Sequence, residues 1–127
     1  MKKILIISLL ALLILCACGE ETNDNGQTAG YKKISAEQAR EMMENGDPFI
    51  LLDVRTEQEF NEKHIEGAIL IPHDEVSVRA GEKLPEKDSL ILIYCRSGRR
   101  SALAANELIG MGYTNVYDFG GIIDWPY

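Results

Sequence analysis

The sequence predicts an α/β domain built on a mainly parallel five-stranded sheet, with helices covering both faces. Three observations carry this. From Tyr31 onward, strand-like and helix-like segments alternate, which calls for right-handed crossovers between parallel strands. Two segments, FILLDV (Phe49–Val54) and SLILIYC (Ser89–Cys95), are continuous apolar runs, as in strands covered on both sides. Between segments stand breakers such as Asn45-Gly46-Asp47-Pro48.

Tyr31–Ile34 reads as a short first strand. Ser35 then caps a helix, with Gln38 completing a capping box and Ala39, Met42 and Met43 on one face. Phe49–Val54 is the second strand. Thr56, with Glu59 three residues on, caps a second helix running to about Lys63. GAILIP, closed by Pro72, is the third strand, and Asp74–Ala80 is a short helix. SLILIYC is the fourth and most apolar strand, expected at the centre of the sheet. Ser101–Met111 is helical and ends at Gly112. NVYDF is the fifth strand, and GGIIDWPY is a turn followed by the start of a last helix.

The first thirty residues stand apart. Lys2 and Lys3 precede an apolar run, Ile4–Leu15, and together residues 1–17 read as a secretory signal. The run reaching to Cys18 is shorter than the ~18–20 residues a spanning helix needs. Cys18, with Ala17 before it and Leu15 three residues before it, resembles the lipobox of bacterial lipoproteins. That resemblance implies cleavage before Cys18 and a diacylglycerol on its sulfur, hence an exported protein anchored outside the cytoplasmic membrane. Cys16 fits less well, because bulky Leu15 would precede the cut. A plain cleaved signal and an uncleaved anchor are the alternatives. Gly19–Gly30 carries no apolar periodicity and reads as a flexible tether, so residues 18–30 link the lipid to a folded domain at 31–127.

The 127-residue chain carries 13 basic and 20 acidic side chains, a net charge of −7; without Lys2 and Lys3 the basic count falls to 11 and the net charge to −9. That balance argues against nucleic acid, which requires a basic face. It also makes the basic turn CRSGRRS, Cys95–Ser101, conspicuous. Of three cysteines, Cys16 leaves with the signal and Cys18 takes the lipid, so Cys95 is a lone thiol with no disulfide framework around it.

Cys95 closes an apolar strand at its carboxyl end, where parallel α/β sheets place their ligands. Gly98 lets the backbone bend tightly. The helix beginning at Ser101 points its amino end back at the turn, so successive N–H groups make an anion-binding hollow. Arg96, Arg99 and Arg100 add positive charge. Each of these favours thiolate over thiol and marks Cys95 as a nucleophile that needs no histidine base. Arg96 and Arg99 are expected to face solvent, either meeting a donor's anionic group or forming a solvated basic rim.

The turn resembles the active-site loop of the rhodanese (thiosulfate sulfurtransferase) family, Cys-x-x-Gly-x-Arg-Ser. LLDVRTEQEFNEKHIEGAILIP resembles the family's amino-terminal signature at Asp53, Val54, Arg55, Glu59, Phe60, His64, Ile65, Gly67, Ala68 and Pro72. GGIIDW resembles its carboxyl-terminal signature at Gly120, Gly121 and Trp125. Lys63 and Leu70 depart from the residues the family often has, Gly and Asn. The likeness covers Tyr31 to Tyr127 and fits the single-domain, exported subgroup best. It implies a rhodanese-like three-layer sandwich and transfer of a sulfane sulfur from thiosulfate or a persulfide to a thiol or cyanide through a Cys95 persulfide. Residues Arg96, Ser97, Gly98, Arg99, Arg100 and Ser101 would bind substrate. No cofactor and no metal are called for, and a monomer is expected.

Loop length separates related chemistries. Arg100 has four residues between it and Cys95; cysteine phosphatases use five, a position held here by Ser101. The shorter loop suits one sulfur atom rather than a phosphate. A non-catalytic module that binds a persulfide or a partner through the same pocket is the alternative reading. Asp53 and Arg55, at the end of the second strand, are expected to shape the site through a mutual or loop-directed ion pair. His64 and His73 lack ligand spacing, so His64 reads as a hydrogen-bonded structural residue and His73 as a surface one. Trp125 and Tyr127 are expected to pack over the sheet edge.

Overall fold

The computed structural model describes residues 30–127. The expected signal segment 1–17, the lipidation candidate Cys18 and the tether up to residue 29 lie outside the described residues. Among the described residues no helix is long and apolar enough to cross a membrane.

Elements alternate as the pattern predicts: β1 (Lys32–Lys33), α1 (Ala36–Glu44), β2 (Ile50–Asp53), α2 (Glu57–Glu62), β3 (Ile69–Leu70), α3 (Val76–Lys83), β4 (Ile91–Cys95), α4 (Arg99–Gly110) and β5 (Val116–Gly121). One 3-10 turn, His73–Glu75, precedes α3 and another, Ile122–Asp124, follows β5. The five strands form one sheet in the order β1-β5-β4-β2-β3. Every pairing is parallel.

Local chemistry starts two of the helices. Ser35 and Thr56 each accept from the amide three residues on, and Gln38 and Glu59 reach back to the cap amides, so both capping boxes close. The central strand β4 is buried along its whole length, as its apolar run requires. Its side chains alternate between two cores. Ile91, Ile93 and Cys95, with Leu52 and Val54, pack beneath α3 and α4 against Val76, Ala80, Ala104, Ala105 and Leu108. Leu92 and Tyr94, with Leu51 and Phe119, pack on the other face against Ala39, Met42 and Met43 of α1 and against Trp125. Helices therefore cover both faces of the sheet.

Four local expectations are corrected. The third strand is only two residues long, although Ile71 and His73 N–H groups continue its edge by donating to the Asp53 and Val54 carbonyls at 3.0 Å. Gly120 and Gly121 close β5 instead of opening a turn, and a 3-10 turn stands where a last helix was expected. Trp125 packs against the Phe119 ring, with centroids 5.4 Å apart, on a sheet face rather than over its edge. The fourth helix begins at Arg99, two residues before Ser101: Gly98, at φ 107°, caps it by backbone conformation, with no side-chain cap.

Candidate active site

Between β4 and β5 the register slips. Ile93 pairs with Asp118 but Cys95 pairs with Gly121, so β5 carries one more residue than β4 over this stretch. Gly120 absorbs the extra residue at φ 85°. The slip brings Gly121 against the cysteine turn. A Cβ there would land on the Arg96 carbonyl oxygen and stand 2.7 Å from Ser97 Cα. Glycine at 121 is thus a condition for the turn to fold back on the sheet.

The turn wraps the sulfur. Cys95 is 1% exposed. The Gly98 N–H donates to its Sγ at 3.0 Å. The thiol donates to Ser101 Oγ over 3.5 Å, and that hydroxyl donates to the Gly98 carbonyl at 3.1 Å. Ser101 is wholly buried inside the first turn of α4, not a polar cap on its end. An α-helix leaves its first amides without intrahelical partners. The sulfur therefore sits at the positive end of a twelve-residue helix, with the Gly98 N–H directed at it.

The three arginines separate. Arg96 and Arg99 are exposed, as expected from the sequence. Arg100 is not free: its guanidinium grips Glu59 with Nη1 at 2.6 Å from Oε1 and Nη2 at 3.0 Å from Oε2. Only the backbone of Arg100 remains for the hollow. Its side chain ties the active-site helix to α2, because Glu59 Oε1 also accepts from the Thr56 hydroxyl and amide. The Arg100 guanidinium, aided by these Thr56 bonds, draws the Glu59 carboxyl down from its ordinary 4.5 to about 2. A carboxylate depressed in the folded state adds stability that is complete above about pH 4.5 and fades as pH falls toward 2. Both side chains are about a quarter exposed. Glu59→Gln should therefore cost only about 1 kcal/mol at pH 7. It should also lessen the loss of stability between pH 5 and pH 3, read from urea midpoints.

Asp53 and Arg55 form a mutual ion pair at the carboxyl end of β2. Arg55 Nη2 stands 2.7 Å from Asp53 Oδ2, and the Arg55 amide and Nε both donate to Oδ1. Arg55 Nη2 also donates to the Lys63 carbonyl at 2.6 Å, pinning the loop after α2. Burial works against the Arg55 charge, but Asp53 outweighs it and holds the guanidinium above its ordinary pKa. Neither residue hydrogen-bonds to positions 96–101 among the described residues.

His64 is hydrogen-bonded, its Nδ1 2.7 Å from the Phe60 carbonyl, and its ring stacks on Phe60 at 3.8 Å while remaining exposed. His73 is half-buried rather than at the surface. Two residues not expected from the sequence to take part in the site emerge: Glu59, expected as a helix cap and a signature match, and Asp118, expected only as part of a strand. Asp118 is 3% exposed, and its Oδ1 accepts from the Gly120 N–H at 2.9 Å, holding the irregular end of β5. A charged residue inside an otherwise apolar strand was the signal available.

Comparison with known proteins gives one family. A model described as Rhodanese-like domain matches residues 35–126. The chain is 40% identical over 73 residues to the thiosulfate sulfurtransferase PspE of Escherichia coli K12, covering 58% of this chain and 70% of that protein. It is 35% identical over 94 residues to a sulfurtransferase of Allochromatium vinosum, covering 73% of this chain and 86% of that one. Of longer curated relatives it spans only 56% or 28%. Among solved structures, a rhodanese with anions from E. coli superposes with a TM-score of 0.58 at 38% identity, over 61% of this chain and 91% of that one.

Proposed function

The chain belongs to the rhodanese-like domain family, and from that premise we propose that it moves a sulfane sulfur from thiosulfate or a persulfide to a thiol or cyanide, with Cys95 as carrier. The Cys95 thiolate attacks the outer sulfur of the donor. With thiosulfate, sulfite leaves with the electron pair of the broken S–S bond, and a cysteine persulfide remains. A thiol or cyanide then takes the outer sulfur and returns Cys95 to its thiolate. The observation that carries this reading is the Gly98 N–H aimed at Sγ from 3.0 Å, at the head of α4. Amides so placed stabilise the negative charge on sulfur before and during transfer. Exposed Arg96 and Arg99 supply charge for the donor's sulfonate at the rim.

Incubating the protein with thiosulfate is expected to add one sulfur, about 32 Da by intact mass, lost with Cys95→Ser. Absence of the adduct with every sulfane donor tried would refute the proposal. A module that binds a persulfide without turnover would load but release no thiocyanate to cyanide. The reading extends to the membrane: the basic and apolar start of the chain, followed by Ala17-Cys18, supports export and a lipid anchor on Cys18.

A further inference from the structure

Beside the cysteine turn lies a groove of about 590 Å³, bounded by the end of β1, the end of β5 and the first half of α4. Its polar lining comes from Lys33, Ser97, Gly98, Arg99, Asn106 and Asp118. The charges are arranged in an unusual way. Asp118 is almost wholly buried, yet only one of its oxygens is engaged, by the Gly120 amide. No fully buried side-chain oxygen lacks a partner among the described residues, so the second oxygen keeps some access to solvent, and Asp118 is part of the groove lining. Lys33 is the register partner of Asp118 on the neighbouring strand, so their side chains leave the same face of the sheet. Among the described residues no ion pair joins Asp118, Lys33 or Arg99 to any partner.

A buried carboxylate and two exposed cations lining one groove match a small molecule carrying an ammonium and a carboxylate. The buried Asp118 carboxylate rewards a ligand that brings it a cation and penalises one that leaves it alone, while Lys33 and Arg99, both exposed, add attraction for an anionic group at the rim. Gly98 belongs to both places: its N–H holds the sulfur, and it lines the groove. We infer that the groove binds the head of a small amino-acid thiol, ammonium on Asp118 and carboxylate on Lys33 and Arg99, and that this thiol is the acceptor of the sulfur on Cys95. The inference rests on the sulfur-transfer reading for its chemistry, though not for its binding.

The step balances without a further reagent. The acceptor thiol gives its proton to solvent and attacks the outer sulfur of the Cys95 persulfide. A bond forms between acceptor sulfur and outer sulfur. The bond from the outer sulfur to Sγ breaks, and its electron pair returns to Sγ as thiolate. The acceptor departs as a persulfide.

Two measurements on the full chain test this. In the first, the thiosulfate-loaded protein is unloaded by cysteine, cysteamine, 3-mercaptopropionate or 2-mercaptoethanol, each rate normalised to its thiolate concentration. Cysteine should be about tenfold faster than the analogues lacking either charge. Asp118→Asn, which keeps an acceptor for the Gly120 amide, should erase the cysteine-to-mercaptopropionate ratio. Lys33→Ala should shrink the cysteine-to-cysteamine ratio. In the second, S-methylcysteine, which cannot accept sulfur, is titrated by calorimetry into unloaded protein and should bind about tenfold more weakly to Asp118→Asn. Equal ratios in all proteins, or no binding of S-methylcysteine, would overturn the inference. Failure of thiosulfate to load Cys95 while S-methylcysteine still binds would instead strike the sulfur-transfer reading.

Discussion

Gly121→Ala is expected to lower stability by about 3 kcal/mol, toward the upper end of overpacking costs. For a domain of about a hundred residues that is a fall in Tm of roughly 10–20 °C. The cause is specific. The added Cβ meets backbone, the Arg96 carbonyl and Ser97 Cα, and neither can swing aside as a side-chain tip would. Relief requires the turn to lift from β5, which moves Gly98 and its N–H away from the sulfur. A shift of about 1 Å in such a group costs on the order of a hundredfold in rate. Loading of Cys95 by thiosulfate should therefore fall by about that factor even in the cold, where the variant is folded. Gly110→Ala is the control. It lies at the end of α4 with open space around it and no positive φ, so it should be neutral or stabilising by about 0.5 kcal/mol. Loading by Gly121→Ala at the normal rate would show that the close approach of β5 and the turn is dispensable.

Asp53→Ala is expected to cost about 3–5 kcal/mol, because it strands the Arg55 guanidinium in the interior without its counter-charge. Asp53 is 0% exposed and Arg55 5%, so solvent cannot compensate. Arg55→Ala should cost a similar amount for the converse reason. The double replacement should cost much less than the sum, and urea denaturation of the four proteins gives the coupling directly. The same set separates support from substrate contact. If the pair only shapes the site, loading at low temperature should stay within several-fold in every variant that remains folded. A hundredfold loss in fully folded Arg55→Ala would place that guanidinium on the substrate.

Much of this was legible in the sequence where the physics is local. The capping boxes at Ser35 and Thr56 depend on residues three apart, and both close. The apolar run ending at Cys95 is the buried central strand, and Gly98 takes the left-handed bend its position requires. What could not be read is what joins distant parts of the chain. Glu59 satisfies its own helix cap and, 41 residues away, holds Arg100, so an arginine that looked available is already paired. The extra residue in β5 has no local signature beyond two glycines; only its neighbour β4 reveals it. Ser101 is the expected first residue of the helix, yet α4 starts at Arg99 behind a left-handed Gly98, which leaves Ser101 within the first turn to face the sulfur.

The pairing of β1 with β5 sets the order of events in biosynthesis. Lys32 and Lys33 must wait for Tyr117 and Asp118 before either edge of that ladder exists. A ribosome has then made almost the whole domain, and such long-range closure is slow compared with helix formation. The hollow around Cys95 needs Gly121 behind it, so a nascent chain carries its thiol outside any finished pocket until the last strand emerges. The finished hollow is thereby acquired only once β5 has docked.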